Sequence, residues 1–160
     1  MSKTIFGLLT LVLGITALTG AAPAQTIVQN RDEPGRNRYQ AHATISAPCS
    51  FQNGCVATFA TIPAGEHVVV QYVSCFITIG DGITPLVVSL AGQVSNPNNR
   101  AYLPSLQQGS VSNVQSFVVS SPLVYYFVSG DTPTISVLFN GAPASNPGDC
   151  LLTGYHVLIP

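Results

Sequence analysis

Ile62-Pro63-Ala64-Gly65-Glu66-His67 runs directly into Val68-Val69-Val70-Gln71-Tyr72-Val73-Ser74-Cys75-Phe76-Ile77-Thr78-Ile79, and this stretch decides the fold class. Pro63 and Gly65 punctuate a turn, and the run beyond them is rich in β-branched and aromatic side chains. As a helix, the run would press four valines and two isoleucines against the preceding turn, where they lose χ1 freedom. A strand is the better reading. Sorted by the two-residue period of a strand, Val69, Val73, Cys75, Ile77 and Ile79 fall on one face, and Val68, Val70, Tyr72 and Phe76 on the other. Both faces are mostly apolar, which predicts a central strand covered on two sides.

Working outward, the same short-strand texture continues. Ala41–Ser46 and Val56–Ile62 flank the Asn53-Gly54 turn signal and predict a hairpin. Gly80-Asp81-Gly82 is a turn, and beyond it Leu86, Val88 and Leu90 alternate with Val87, Ser89 and Ala91. Arg100–Leu103 reads as a short strand between a loop at Asn96–Asn99 and a second loop at Gln107–Asn113. Val114–Val119 and Leu123–Val128 read as antiparallel neighbours joined by a turn at Ser120-Ser121-Pro122. Ile135, Val137 and Phe139 form an inward face, and Cys150–Ile159 is the final strand. Eight or nine short strands without an amphipathic helix predict an all-β domain, a single antiparallel β-sandwich of jelly-roll or Greek-key type. A closed barrel is the alternative.

The first residues concern the compartment. Lys3, the apolar run Ile5–Leu18 and Ala22-Pro23-Ala24 have the order of a secretory signal peptide cleaved after Ala24. The apolar run is shorter than the ~20 residues a spanning helix needs, so no membrane span is expected after cleavage. The expected organisation is a signal peptide at 1–24, an N-terminal arm at 25–40 and the β-domain at 41–160. The arm holds Arg31, Asp32, Glu33, Arg36 and Arg38, half of the mature chain's charge, broken by Pro34-Gly35. The expected location is therefore periplasmic or extracellular, where thiols oxidise. All four cysteines (Cys49, Cys55, Cys75 and Cys150) fall in the mature part, and four allow three pairings. The Asn-Gly turn favours Cys49–Cys55, which leaves Cys75–Cys150 to tie the central strand to the last. No C-x-x-C pair points to zinc, and no metal or other cofactor is expected.

Charge bounds the function. Only 7% of residues are charged, with a formal net charge of −1, and a nucleic-acid surface would need a basic patch. Nucleophilic catalysis needs a base beside a Ser or Cys and an acid to orient it. His42, His67 and His156 and the acids Asp32, Glu33, Glu66, Asp81, Asp131 and Asp149 share no motif that would assemble such a set. No catalytic residues are assigned. Sugars stack on exposed aromatic rings, and Tyr102, Tyr125 and Tyr126 are the candidate ligand-facing residues. Tyr125 and Tyr126 must point to opposite faces of one strand. The expectation is a non-enzymatic envelope or extracellular interaction protein, with a glycan or envelope protein as partner or with copies of itself. A carbohydrate-binding module is the alternative, and a secreted hydrolase a more distant one.

Three stretches carry a resemblance. Asp32-Glu33-Pro34-Gly35-Arg36-Asn37-Arg38-Tyr39-Gln40, the run from Ile62 to Ser74 and the closing Leu152-Thr153-Gly154-Tyr155-His156-Val157 resemble a group of small exported bacterial proteins. The resemblance implies an exported β-sandwich and brings no assigned activity and no catalytic residues. The Pro-Ala-Gly entry to a long apolar strand is also similar to the jelly roll of C1q/TNF-type domains, a likeness of fold alone.

Overall fold

The structure is a computed structural model that describes residues 36–50, 54–92, 94, 99–143 and 145–158. The signal-peptide reading and residues 25–35 of the arm lie outside the described residues. Among those described there are nine strands and no helix. They are β1 (Arg36–Ser50), β2 (Gly54–Thr58), β3 (Glu66–Gly80), β4 (Pro85–Ala91), β5 (Arg100–Leu103), β6 (Ser105–Val111), β7 (Val114–Phe127), β8 (Thr134–Phe139) and β9 (Gly148–Leu158). The chain is all-β. Every pairing is antiparallel, in one sheet of order β5-β4-β8-β2-β1-β9-β3-β7-β6.

That order nests. The β1–β2 hairpin lies between β8 and β9, and β3 and β4 flank that group in turn, the wrapped sequence of pairs found in jelly rolls. The two ends of the sheet, β5 and β6, follow each other in sequence with only Pro104 between them. Because β5 also lies against β7, the sheet is nearly closed on itself. The enclosed core includes Ile45, Val73, Ile77, Leu90, Phe127, Ile135 and Leu152, all fully buried. Each such side chain contributes ~1.5–3 kcal/mol through removal from water. Ile135, Val137 and Phe139 all face inward, as their alternation predicts.

Three elements differ from the sequence reading. β1 begins at Arg36, so residues 36–40 are not arm: they pair with β9, and Tyr39 is buried. The charge of Arg36 and Arg38 conceals a strand whose other face carries Asn37, Tyr39 and Ala41. Residues 107–111, read as a loop, belong to β6, which returns into β7 through Ser112 and Asn113, both at positive φ (48° and 65°). That is the two-residue turn matched to strand twist. β7 is also one strand, not two joined at Ser120-Ser121-Pro122. Pairing with β6 ends at Val119, so Pro122 stands beyond it, opposite Tyr72 where the β3 register shifts.

The central strand needs a similar correction. β3 lies between β9 and β7, but pairing with both shifts between Val70 and Tyr72. Against β9 Gln71 is the extra residue, whereas on the β7 side Leu123 and Val124 stand opposite it. The shift moves the inward set from Val68 and Val70 to Val73, Cys75, Ile77 and Ile79. Val69 is buried but outside the core cluster, on the opposite face. Phe76, also on that face, is 54% exposed. Only one face of β3 is enclosed. At the shift the β3 backbone closes on β9, so that a Cβ on Gly154 would collide with the Val69 carbonyl oxygen. Glycine is required there.

Both disulfides join residues that face the core. Cys49–Cys55 staples the β1–β2 hairpin, and Cys75–Cys150 joins directly paired residues of β3 and β9, with Cα atoms 4.1 Å apart. Their sequence separations are 6 and 75. Loop entropy then assigns about 2 kcal/mol to the first and about 4 to 5 kcal/mol to the second. Urea unfolding of paired alanine variants should reproduce that ranking, and a larger loss from the hairpin bridge would contradict it.

Candidate functional site

Three groupings of polar or exposed side chains are candidates. Two of them are histidine–acid pairs. His42 projects from β1 to the solvent, its Nε2 3.5 Å from Oδ1 of Asp149 on β9. The same oxygen accepts a hydrogen bond from the Thr44 hydroxyl at 2.7 Å. At the other end of these strands, Nδ1 of His156 lies 2.8 Å from Oε2 of Glu66, an ion-pair contact without hydrogen-bond geometry. His67, next to Glu66, alternates to the opposite face of β3. Each paired imidazole has an acid beside it, but neither has a hydroxyl or thiol in hydrogen-bond contact among the described residues. No group of three or more His, Cys, Asp or Glu among the described residues is placed to hold a metal ion.

Tyr39 packs edge-on against His156, with ring centroids 5.3 Å apart. It is opposite Gly154 in the β1–β9 ladder, and its hydroxyl is buried without a hydrogen-bond partner. Burial pushes this phenol from its ordinary 10.0 up to about 12. Asp131 is the contrasting case, a fully buried carboxylate that is well satisfied. Its Oδ1 accepts the Val94 N–H at 2.7 Å and its Oδ2 the Val128 N–H at 3.0 Å. Its carbonyl accepts the Ile62 N–H at 2.8 Å. A Cβ on Gly92 would come within 3.0 Å of the same carboxylate. Asp131 is therefore a clamp that fastens the β7–β8 turn to Ile62 and to the segment after β4.

The third grouping is a surface. Phe76 on β3, Val118 on β7 and Leu106 on β6 are cross-strand neighbours in one row. Tyr72 pairs with Pro122 in a second row and Val69 with Tyr126 in a third. Tyr126 and Leu106 are each 66% exposed. The Tyr72 hydroxyl hydrogen-bonds to Ser120 Oγ, which lays its ring along the face between two rows. Residues 101–130 contain no Asp, Glu, Lys or Arg. On β1 the outward positions are polar instead, with Arg38, Gln40, His42 and Thr44 exposed.

The three tyrosines singled out from sequence separate. Tyr126 belongs to the exposed face, and Tyr102 is 73% exposed on β5. Tyr125 is not ligand-facing: it points into the core, stacks on Phe127 at 4.8 Å and donates its hydroxyl to the Asn99 carbonyl at 2.6 Å. Alternation told that the two neighbours diverge but not which one turns inward. Phe76 and Leu106 were missed because Phe76 was assigned to a covered face and Leu106 stood at the edge of a presumed loop. No family model, no curated protein and no solved structure matches this chain.

Two measurements follow from the buried groups. A phenol whose pKa is raised on folding contributes stability that is complete below pH 10 and is lost as pH climbs towards 12. Tyr39→Phe should flatten that alkaline decline and leave neutral-pH stability equal or higher, because no hydrogen bond is lost. Unchanged alkaline unfolding in the variant would count against this account. Asp131→Ala leaves the partly buried Val94 and Val128 N–H groups without their carboxylate partner and should cost about 3 kcal/mol in chemical denaturation. A loss below ~1 kcal/mol would show that the clamp is dispensable.

Proposed function

We propose that the chain is a non-enzymatic interaction protein, exported to the periplasm or the extracellular space, that binds through the uncharged outer face of β3, β7 and β6. One observation carries this reading: large apolar side chains occupy outward positions in adjacent rows, where a solvated sheet face carries polar ones. Both disulfides are consistent with an oxidising compartment, and the leader-like N-terminal sequence supports export. Burying this face against a partner removes apolar area from water, which favours association at ~25 cal/mol per Å². The low charge avoids the desolvation cost that buried charges would add.

Glycan binding is the second reading, favoured by the exposed rings of Tyr102 and Tyr126. Pyranose C–H faces stack on such rings without needing charge. The two readings separate in a binding screen of the mature protein against envelope glycans and envelope proteins. Phe76→Lys with Leu106→Lys should weaken a protein partner at least tenfold. Tyr102→Ala with Tyr126→Ala should do so for a glycan. Because all four side chains are exposed, melting temperatures should move little. Binding indifferent to all four substitutions would refute the face. Turnover of an ester, peptide or glycoside that disappears in His156→Ala or His42→Ala would replace the reading with a hydrolase.

A further inference from the structure

We infer that the partner covering the outer face of β3, β7 and β6 is a second copy of this chain, an inference that rests on the interaction reading above. The first argument is charge. In a two-fold contact each surface meets its own copy, so any net charge on it faces the same charge across the axis. A self-associating face must therefore be neutral or internally balanced. This one is neutral: Tyr72, Phe76, Leu106, Val118, Val124 and Tyr126 are its large side chains, and Ser74 and Ser120 lie between the rows. Among the described residues charge appears at the margins, with Arg38 and Asp149 towards β1 and β9, and Asp81 held by Gln115 Nε2 at 2.7 Å at one end. An apolar centre with a polar rim is the anatomy of a protein contact.

Size is the second argument. The outward side of β7 from Val114 to Tyr126, with a strand on either side, covers roughly 40 Å by 15 Å at ordinary strand rise and spacing. Two such faces together reach the roughly 1,000 Å² above which a contact between proteins is more than a packing accident. A third argument comes from β6. Every residue from Leu106 to Val111 is exposed, on both faces of the strand. Leu106 and Val111 gain little cover from the other described residues, and a second molecule laid on β7 would supply it to Leu106. Aromatic side chains at the centre, here Phe76, Tyr72 and Tyr126, are the kind that anchor such contacts.

The test is sedimentation equilibrium of the mature protein with its disulfides formed, from micromolar to submillimolar concentration. The wild type should dimerise reversibly. Phe76→Lys with Tyr126→Lys should weaken dimerisation at least tenfold, because four lysines would meet across the axis. Leu106→Lys alone serves as a second variant on an exposed strand if the double variant does not fold. Leu86→Lys, an exposed position on β4 away from this face, should leave association unchanged. A wild type that stays monomeric overturns the inference, as does a dimer indifferent to the lysines or one equally sensitive to Leu86→Lys. If the monomer nevertheless binds an envelope component and loses it in the Phe76→Lys and Leu106→Lys variant, the inference fails while the interaction reading stands.

Discussion

The pairing of β3 with β9 is the constraint on which the remaining structure depends. Eleven residue pairs run from Glu66↔Leu158 to Ile77↔Gly148, and Cys75–Cys150 closes one of them covalently. A strand's side-chain period is two, so a slip of one residue would turn Val73, Cys75 and Ile77 to the solvent and Phe76 to the core. The disulfide forbids that slip. With β3 held, β7 is placed on its other side, β1 on the far side of β9, and the β1–β2 hairpin carries the sheet towards β8 and β4.

Within that ladder the shift at Gln71 decides which residues are available to the outside. Without it, strict alternation would place Val69 with Val73 in the core and Val70 with Tyr72 outside. The extra residue reverses this below Gln71, enclosing Val68 and Val70 while Tyr72 and Phe76 remain on the outer face. Close approach of the Val69 carbonyl to Gly154 follows from the same local bend. Tyr39 stands opposite that glycine in the β1–β9 ladder and packs against His156. A bulge on one strand thus shapes both the interior polar end and the exterior apolar face.

The two kinds of unusual side chain have different physical meanings. Asp131 is buried and fully engaged, so it holds loops together, including the Ile62 end of the segment that leads into β3. Tyr39 is buried with an unpaired hydroxyl, and its ring supplies the packing. Exposed apolar groups on β3, β7 and β6 are the reverse: they cost little in the monomer and gain value only when something covers them. The polar half of the sheet, on β1, is ordinary by comparison, with outward Arg38, Gln40, His42 and Thr44.

Local chemistry alone determined the all-β class and most strand positions, and it favoured the hairpin disulfide, which left Cys75 and Cys150 for each other. β-Branched runs, Gly and Pro punctuation and an Asn-Gly turn between Cys49 and Cys55 act over a few residues and are visible in any window. Legibility stopped where the deciding partner is distant in the chain. Gln71 looks like any polar residue in a strand until the pairing of its neighbours, Val70 with Gly154 and Tyr72 with Thr153, shows that the ladder skips it. Tyr125 and Tyr126 are equivalent in sequence, and only the Asn99 carbonyl and Phe127 make the first of them the inward one. Residues 107–111 are too polar and glycine-containing to announce a strand, yet β7 supplies the hydrogen-bond partners that hold them as one. Hydrophobicity told that these side chains want cover. Which of them the chain covers itself, and which it leaves exposed, was settled by the order in which distant strands meet.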